Sequence, residues 1–161
     1  SVSLLPGHYY LIQESSGGAA GASLPTPDAS GTIAMAAGAG KVALANTTAA
    51  LTGGCPTGGT IVDLVGYGST ATCFEGGAAA PAPGNTTAAI RNGAGCTDTN
   101  VNSADFTAAT PTPRNTSSTS NQCTGAIAPP TIVQSRTDWH SVMTRLFAEA
   151  VISNRVLIRF F

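Results

Sequence analysis

Charge is what this sequence has least of. Only 9% of its 161 residues are Asp, Glu, Lys or Arg, where soluble domains usually carry roughly a quarter. The net charge of −1 supplies none of the basic surface that nucleic-acid binders present, so a general attraction for nucleic acid is not expected. Long hydrophobic runs are missing as well. No stretch reaches the ~18 uninterrupted apolar residues that a membrane-crossing helix needs. The chain starts at Ser1 with neither Met nor a signal-type apolar segment, and reads as a mature product or a fragment.

Cysteine pairs of the CxxC type are absent too. The four cysteines, Cys55, Cys73, Cys96 and Cys123, stand apart from one another and from His8 and His140, which argues against zinc. An even number in a chain rich in Thr, Ser and Gly points to disulfides and an oxidising compartment. Three pairings are open at this point, and buried or free thiols remain the alternative.

What is abundant is turn chemistry. Nineteen Gly and ten Pro suit short strands joined by many turns and argue against a helical bundle. Strand-like runs follow at short spacing: 8–14 (HYYLIQE), 30–35 (SGTIAM, the weakest), 41–46 (KVALAN), 60–68 (TIVDLVGYG), 86–91 (TTAAIR) and 105–109 (DFTAA). In the fourth run a lone Asp63 sits among Ile61, Val62, Leu64 and Val65, as in a strand buried on most of both faces. The series predicts an all-β sandwich. Residues 110–130 resemble a linker.

Past about residue 135 the character changes. Arg136, Arg145, Arg155 and Arg159 against Asp138 and Glu149 make this tail +2, while the body is −3. Trp139, Val142, Met143, Leu146, Phe147, Ala150 and Val151 fall on one face of a helix, and the strand-like VLIRFF follows. Trp139, Val142, Leu146 and Phe147 are the candidate interaction residues of that helix, expected to pack over an exposed sheet face. The equal alternative is a tail that stays detached from the fold, and a membrane surface is a third destination.

Three motifs fail on their details. Gly38–Lys41 (GAGK) would need Gly and a hydroxyl residue where Met35 and Val42 stand, so it is a turn rather than a phosphate loop. Gly66–Thr70 (GYGST) lacks the GxSxG of a nucleophile elbow. The loop after Cys96 places Asp98, Asn100 and Asn102 at every second position, with Asp105 beyond, which is spacing suited to calcium. It lacks both the bidentate Glu and the central Gly of an EF-hand, and Asx turns account for the cluster without a cation. Asp98 and Asp105 as a catalytic pair would lack a third partner. No cofactor is expected, and no catalytic residue is assigned. Asn46, Asn85 and Asn115 head sequons that matter only in a glycosylating host.

Taken together, PGHYYLIQ, LPTPDASGTI, GKVAL, VDLVGYG, CFEG, PAPGNTTAAIR, CTDT and ADF followed by PTPRN resemble the bacterial, secreted form of the lamin tail domain over roughly residues 4–123. The resemblance implies an immunoglobulin-like β-sandwich serving as a non-catalytic, extracellular or cell-surface module whose partner is an unknown protein or surface ligand. The alternative it leaves is an accessory domain of a larger secreted nuclease or phosphatase. It assigns 1–123 to the sandwich, incomplete at its N-terminus, 124–135 to a linker, and 136–161 to a helix-plus-strand tail foreign to the family. A sandwich short of its first strands would leave a sheet edge open to self-association. The expected disulfides are Cys55–Cys73 and Cys96–Cys123, each closing a loop beside a strand region.

Overall fold

The computed structural model describes residues 2–15, 21 and 23–123. The expected linker (124–135) and the tail helix with Trp139, Val142, Leu146 and Phe147 lie outside the described residues. Within them the regular structure is almost entirely β. Strands β1 (Ile12–Gln13) and β2 (Ala29–Ser30) pair in parallel. Strands β3 (Gly40–Ala45) and β4 (Ile61–Tyr67) pair antiparallel with Val42 opposite Val65. Strands β5 (Ala88–Arg91) and β6 (Phe106–Ala109) pair antiparallel with Arg91 opposite Phe106. Three two-stranded sheets result. One helical turn, α1 (Asn102–Asp105), and a 3-10 turn at Gly93–Gly95 are the helical pieces.

The last four expected strands sit where the sequence puts them, to within two or three residues. The first two are shorter than expected. Of the 8–14 run only Ile12 and Gln13 join a ladder, and of the 30–35 run only Ser30 does. The cause is a side chain that substitutes for a strand partner. Glu14 accepts the Ile33 N–H (2.8 Å) while the Ser15 N–H bonds the Ile33 carbonyl (3.2 Å). The two segments are thus tied without a continuous ladder. Asp105, expected to open the last strand, closes α1 instead.

The core forms where β4 meets β5 and β6. Val65, Tyr67, Ala80, Ala89 and Phe106 are buried together, with Met35 and Val42 packed against them. Alternation along β4 aims Val65 and Tyr67 into this cluster. The opposite face of β4 is covered by the 73–75 segment, which approaches so closely that only glycine fits at position 66. A Cβ there would lie 2.0 Å from the Cys73 carbonyl oxygen.

The N-terminal segment is held by distant polar contacts. Asp28 accepts the N–H groups of Leu11 (2.7 Å) and Thr116 (3.0 Å), the Asn121 N–H bonds the Gly7 carbonyl (2.9 Å), and the Arg114 guanidinium lies 4.8 Å over the Tyr9 ring. Two disulfides add covalent ties. Cys55 joins Cys73 (Cα–Cα 5.2 Å), pinning the loop after β3 beside the 73–75 segment, and Cys96 joins Cys123 (5.5 Å). They close loops of 18 and 27 residues, for which loop entropy predicts about 3 kcal/mol each. Replacing Cys55 and Cys73 together by Ala is expected to lower unfolding free energy by about that amount in denaturant titration. A change below about 1 kcal/mol would show that the loop is already ordered by other contacts.

Candidate functional site

The described chain offers one concentration of ionisable groups, and it lies inside. Asp63, on the core face of β4, is 5% exposed; Arg91, the last residue of β5, is 1% exposed. An arginine side chain in that position needs a partner, because an uncompensated buried charge costs several kcal/mol. It has two. Its Nη2 donates to Asp63 Oδ2, and its Nη1 lies 3.3 Å from Asp98 Oδ1 and donates to the Thr97 carbonyl (3.1 Å). The guanidinium plane stacks 4.6 Å over the Phe106 ring, which lines up with Arg91 across the β5–β6 ladder. One side chain therefore ties β4, β5, β6 and the loop after the 3-10 turn.

Glu75 completes the cluster. Its carboxyl shares a hydrogen bond with that of Asp63, and its pKa is pushed up to about 7 by burial first, then by the Asp63 charge and that shared bond, with Asp98 adding to them. The Asp63 carboxyl is also raised: burial outweighs the opposing pull of Arg91. Asp63 and Asp98 flank the guanidinium and Glu75 lies against Asp63, so a proton retained between Asp63 and Glu75 relieves the repulsion between those two carboxyls.

Asn102 holds the other side of Glu75. It is fully buried, and its amide satisfies four groups. Its oxygen accepts the N–H groups of Gly66 (2.8 Å) and Glu75 (3.1 Å). Its nitrogen donates to the Leu64 carbonyl (3.0 Å) and to Glu75 Oε2 (3.2 Å). The backbone of the 73–75 segment is thereby stitched to β4 through a side chain from α1.

The candidate calcium residues are engaged separately. Asp105 is buried, and its two oxygens accept the Thr99 N–H (3.0 Å), the Thr99 hydroxyl (2.7 Å) and the Val101 N–H (3.2 Å). Asp98 faces Arg91 and accepts the Asn100 N–H at 3.4 Å. Asn102 points to β4, and Asn100 is exposed in a left-handed conformation (φ 57°). Among the described residues no three His, Cys, Asp or Glu side chains are grouped as metal ligands. The loop closes on itself: Asp105 folds the chain from Thr99 to Val101 back onto α1.

Chemically, the Asp63–Glu75 pair can hold and exchange a proton. The described groove lies on the other side of β3 and is lined by Met35, Val42, Leu51 and Tyr67, whose hydroxyl donates to the Ala36 carbonyl (2.7 Å). No protein-family model, curated protein or solved structure matches this chain.

In the sequence Asp63 stands as a lone acid without an evident partner, and neither Glu75 nor Arg91 stands out. A usable signal existed. A charge within an apolar strand demands a counter-charge, and the body holds only Lys41, Arg91 and Arg114 as bases. Of these, Arg91 alone ends a strand-like run, TTAAIR. Glu75 carried no such mark, because it sits in a Gly-rich turn segment.

The raised carboxyl pKa values fix the direction of pH dependence. A proton held more tightly in the folded state stabilises it below the unfolded pKa, near 4.5 for Glu75, and that contribution is lost as pH rises through about 7. Unfolding free energy is expected to fall between pH 5 and pH 8 by roughly 1–3 kcal/mol, the upper part discounted because Glu75 is only half-buried. Glu75→Gln keeps an acceptor for Asn102 and a donor for Asp63, so it should flatten the profile and stabilise the domain above pH 7. A profile rising with pH in the wild type would contradict the cluster. Asn102→Ala, which strips partners from three backbone groups, is expected to cost about 3 kcal/mol or more at any pH.

Proposed function

We propose that this chain is a non-catalytic binding or structural module of the lamin tail type, built as an immunoglobulin-like sandwich and displayed outside the cell. The observation that carries the reading is the way the polar residues are spent. Asp63, Arg91, Asn102 and Asp105 are buried and bonded to one another or to backbone, bracing strands and loops. Catalytic groups must instead face a substrate with part of their bonding capacity free. The two disulfides suit an oxidising, extracellular setting, and no helix among the described residues is long and apolar enough to cross a membrane. The resemblance of PGHYYLIQ, VDLVGYG and PAPGNTTAAIR to the lamin tail pattern supports the same reading.

The module acts by presenting surface. Its rigidity comes from the buried brace and the disulfides; its recognition elements are the loops and the open strand edge. Turnover assays test this. The purified chain is expected to hydrolyse neither bis(p-nitrophenyl) phosphate, p-nitrophenyl phosphate nor p-nitrophenyl acetate above the uncatalysed rate, with or without added Mg²⁺, Ca²⁺ or Zn²⁺. Metal-dependent phosphodiesterase activity abolished by Asp105→Ala in a chain that still folds would overturn it.

A further inference from the structure

Strand β3 pairs with β4 along one edge, and the bonding of β4 shows which groups of β3 are left over. Opposite Lys41, Gly66 gives its N–H to Asn102 (2.8 Å) and its carbonyl to the Ala80 N–H (2.8 Å). Opposite Ala43, the Leu64 carbonyl accepts from the Asn102 amide (3.0 Å). All three groups turn away from β3. Facing residues in an antiparallel ladder exchange both bonds or neither. Lys41 and Ala43 therefore direct their own N–H and C=O groups to the outer edge, and among the described residues no backbone group bonds them there.

That edge runs through an apolar groove of about 420 Å³. Val42 lines it from one face of the sheet and Leu64 from the other, with Ile33, Met35, Leu51 and Pro56 as walls. Ile33 and Leu51 are 47% and 38% exposed, so the groove presents apolar surface to solvent beside the edge. Lys41 is the one exposed basic side chain among the described residues. Its Nζ donates to the Gly54 carbonyl and to Thr72 Oγ1 (3.1 Å), which leaves one of its three N–H groups for a further acceptor.

The geometry points to the outer edge of β3 as a docking site for an extended peptide from another protein, alternately apolar, with an acidic side chain where it passes Lys41. The peptide adds as a strand. Backbone bonds to Lys41 and Ala43 set its register, the groove takes its apolar side chains, and Lys41 takes its carboxylate. Charge selects this occupant over two others. A second copy paired about Val42 would bring a second Lys41 into the same groove, and the chain's own Val156–Phe161 run carries Arg159 and follows Arg155. Both add positive charge where a negative one is favoured. This surface rests on the reading of the chain as a binding module and gives that module a ligand class.

The test uses the full chain, labelled with nitrogen-15, and the fluorescent probe peptide acetyl-Thr-Val-Glu-Val-Thr-Val-amide. Saturable binding is expected, with the Lys41 and Ala43 amides gaining hydrogen-exchange protection on peptide addition. A probe with Lys in place of Glu should bind about threefold to fivefold more weakly, the range of an exposed ion pair. A probe N-methylated on the residues that face the edge should lose at least about tenfold, the worth of one to two hydrogen bonds. Absence of saturable binding, or binding indifferent to N-methylation, overturns the proposal. Protection of Lys41 and Ala43 without peptide also overturns it: the edge is then filled by the chain's own tail if the mass is monomeric, or by a second copy if it is doubled. These failures would leave a non-catalytic module standing, whereas only turnover would remove that reading.

Discussion

A single buried guanidinium organises this molecule. Arg91 has no exposed side-chain surface, and a charge in that position must be met by carboxylates held in register. Strand β4 supplies Asp63, the loop after the 3-10 turn supplies Asp98, and β6 supplies the Phe106 ring against which the guanidinium stacks. Each partner belongs to a different segment, so the requirement to pair one charge fixes the relative placement of three strands and a loop. Buried ion pairs often add little net stability relative to apolar residues of the same volume, yet losing one partner is expensive. The pair therefore acts chiefly by penalising other arrangements. That matters in a chain whose short strands and many alanines give modest apolar burial.

The surplus of carboxyls over guanidinium explains the rest of the polar interior. With Asp63 and Asp98 on the cation and Glu75 against Asp63, neighbouring carboxylates repel unless a proton stays bound, and Glu75 holds it up to about pH 7. Asn102 then fixes Glu75 and the 73–75 segment to β4, and that segment carries Cys73 of the first disulfide. The same bonds turn the Gly66 and Leu64 backbone groups away from β3. Interior pairing and the open outer edge of β3 are thus two sides of one hydrogen-bond pattern, which links the stability of the module to the surface it presents.

Much of the β framework could be read from residues alone. KVALAN, TIVDLVGYG and TTAAIR combine β-branched side chains, alternation and flanking turn residues, and all three form strands. HYYLIQE carries the same local signal but meets few backbone partners, because Glu14 and Asp28 bind amides that a ladder would otherwise use. Such long-range side-chain capture leaves no periodic trace. The Asp98–Asp105 loop showed the reverse case. Its every-second-residue spacing suits calcium as well as Asx turns, and in three dimensions Asp105 bonds Thr99 and Val101, Asp98 faces Arg91, and Asn102 reaches β4. Spacing gives the ligand types; it does not give the donors that reach them first. Glu75 was invisible for a related reason, since its character arises from burial beside Asp63 and not from its neighbours in sequence.

At the centre of the polar interior is a half-buried carboxyl, Glu75, that shares its proton with Asp63 beside Arg91. Carbon-13 NMR titration of the side-chain carboxyls observes it directly. The Glu75 carboxyl resonance is expected to titrate near pH 7, with the Asp63 resonance moving in the same pH interval because the two are bonded. A Glu75 midpoint near the ordinary glutamate value of about 4.3, independent of Asp63, would contradict the arrangement from which the brace, the pH dependence and the orientation of β4 were derived.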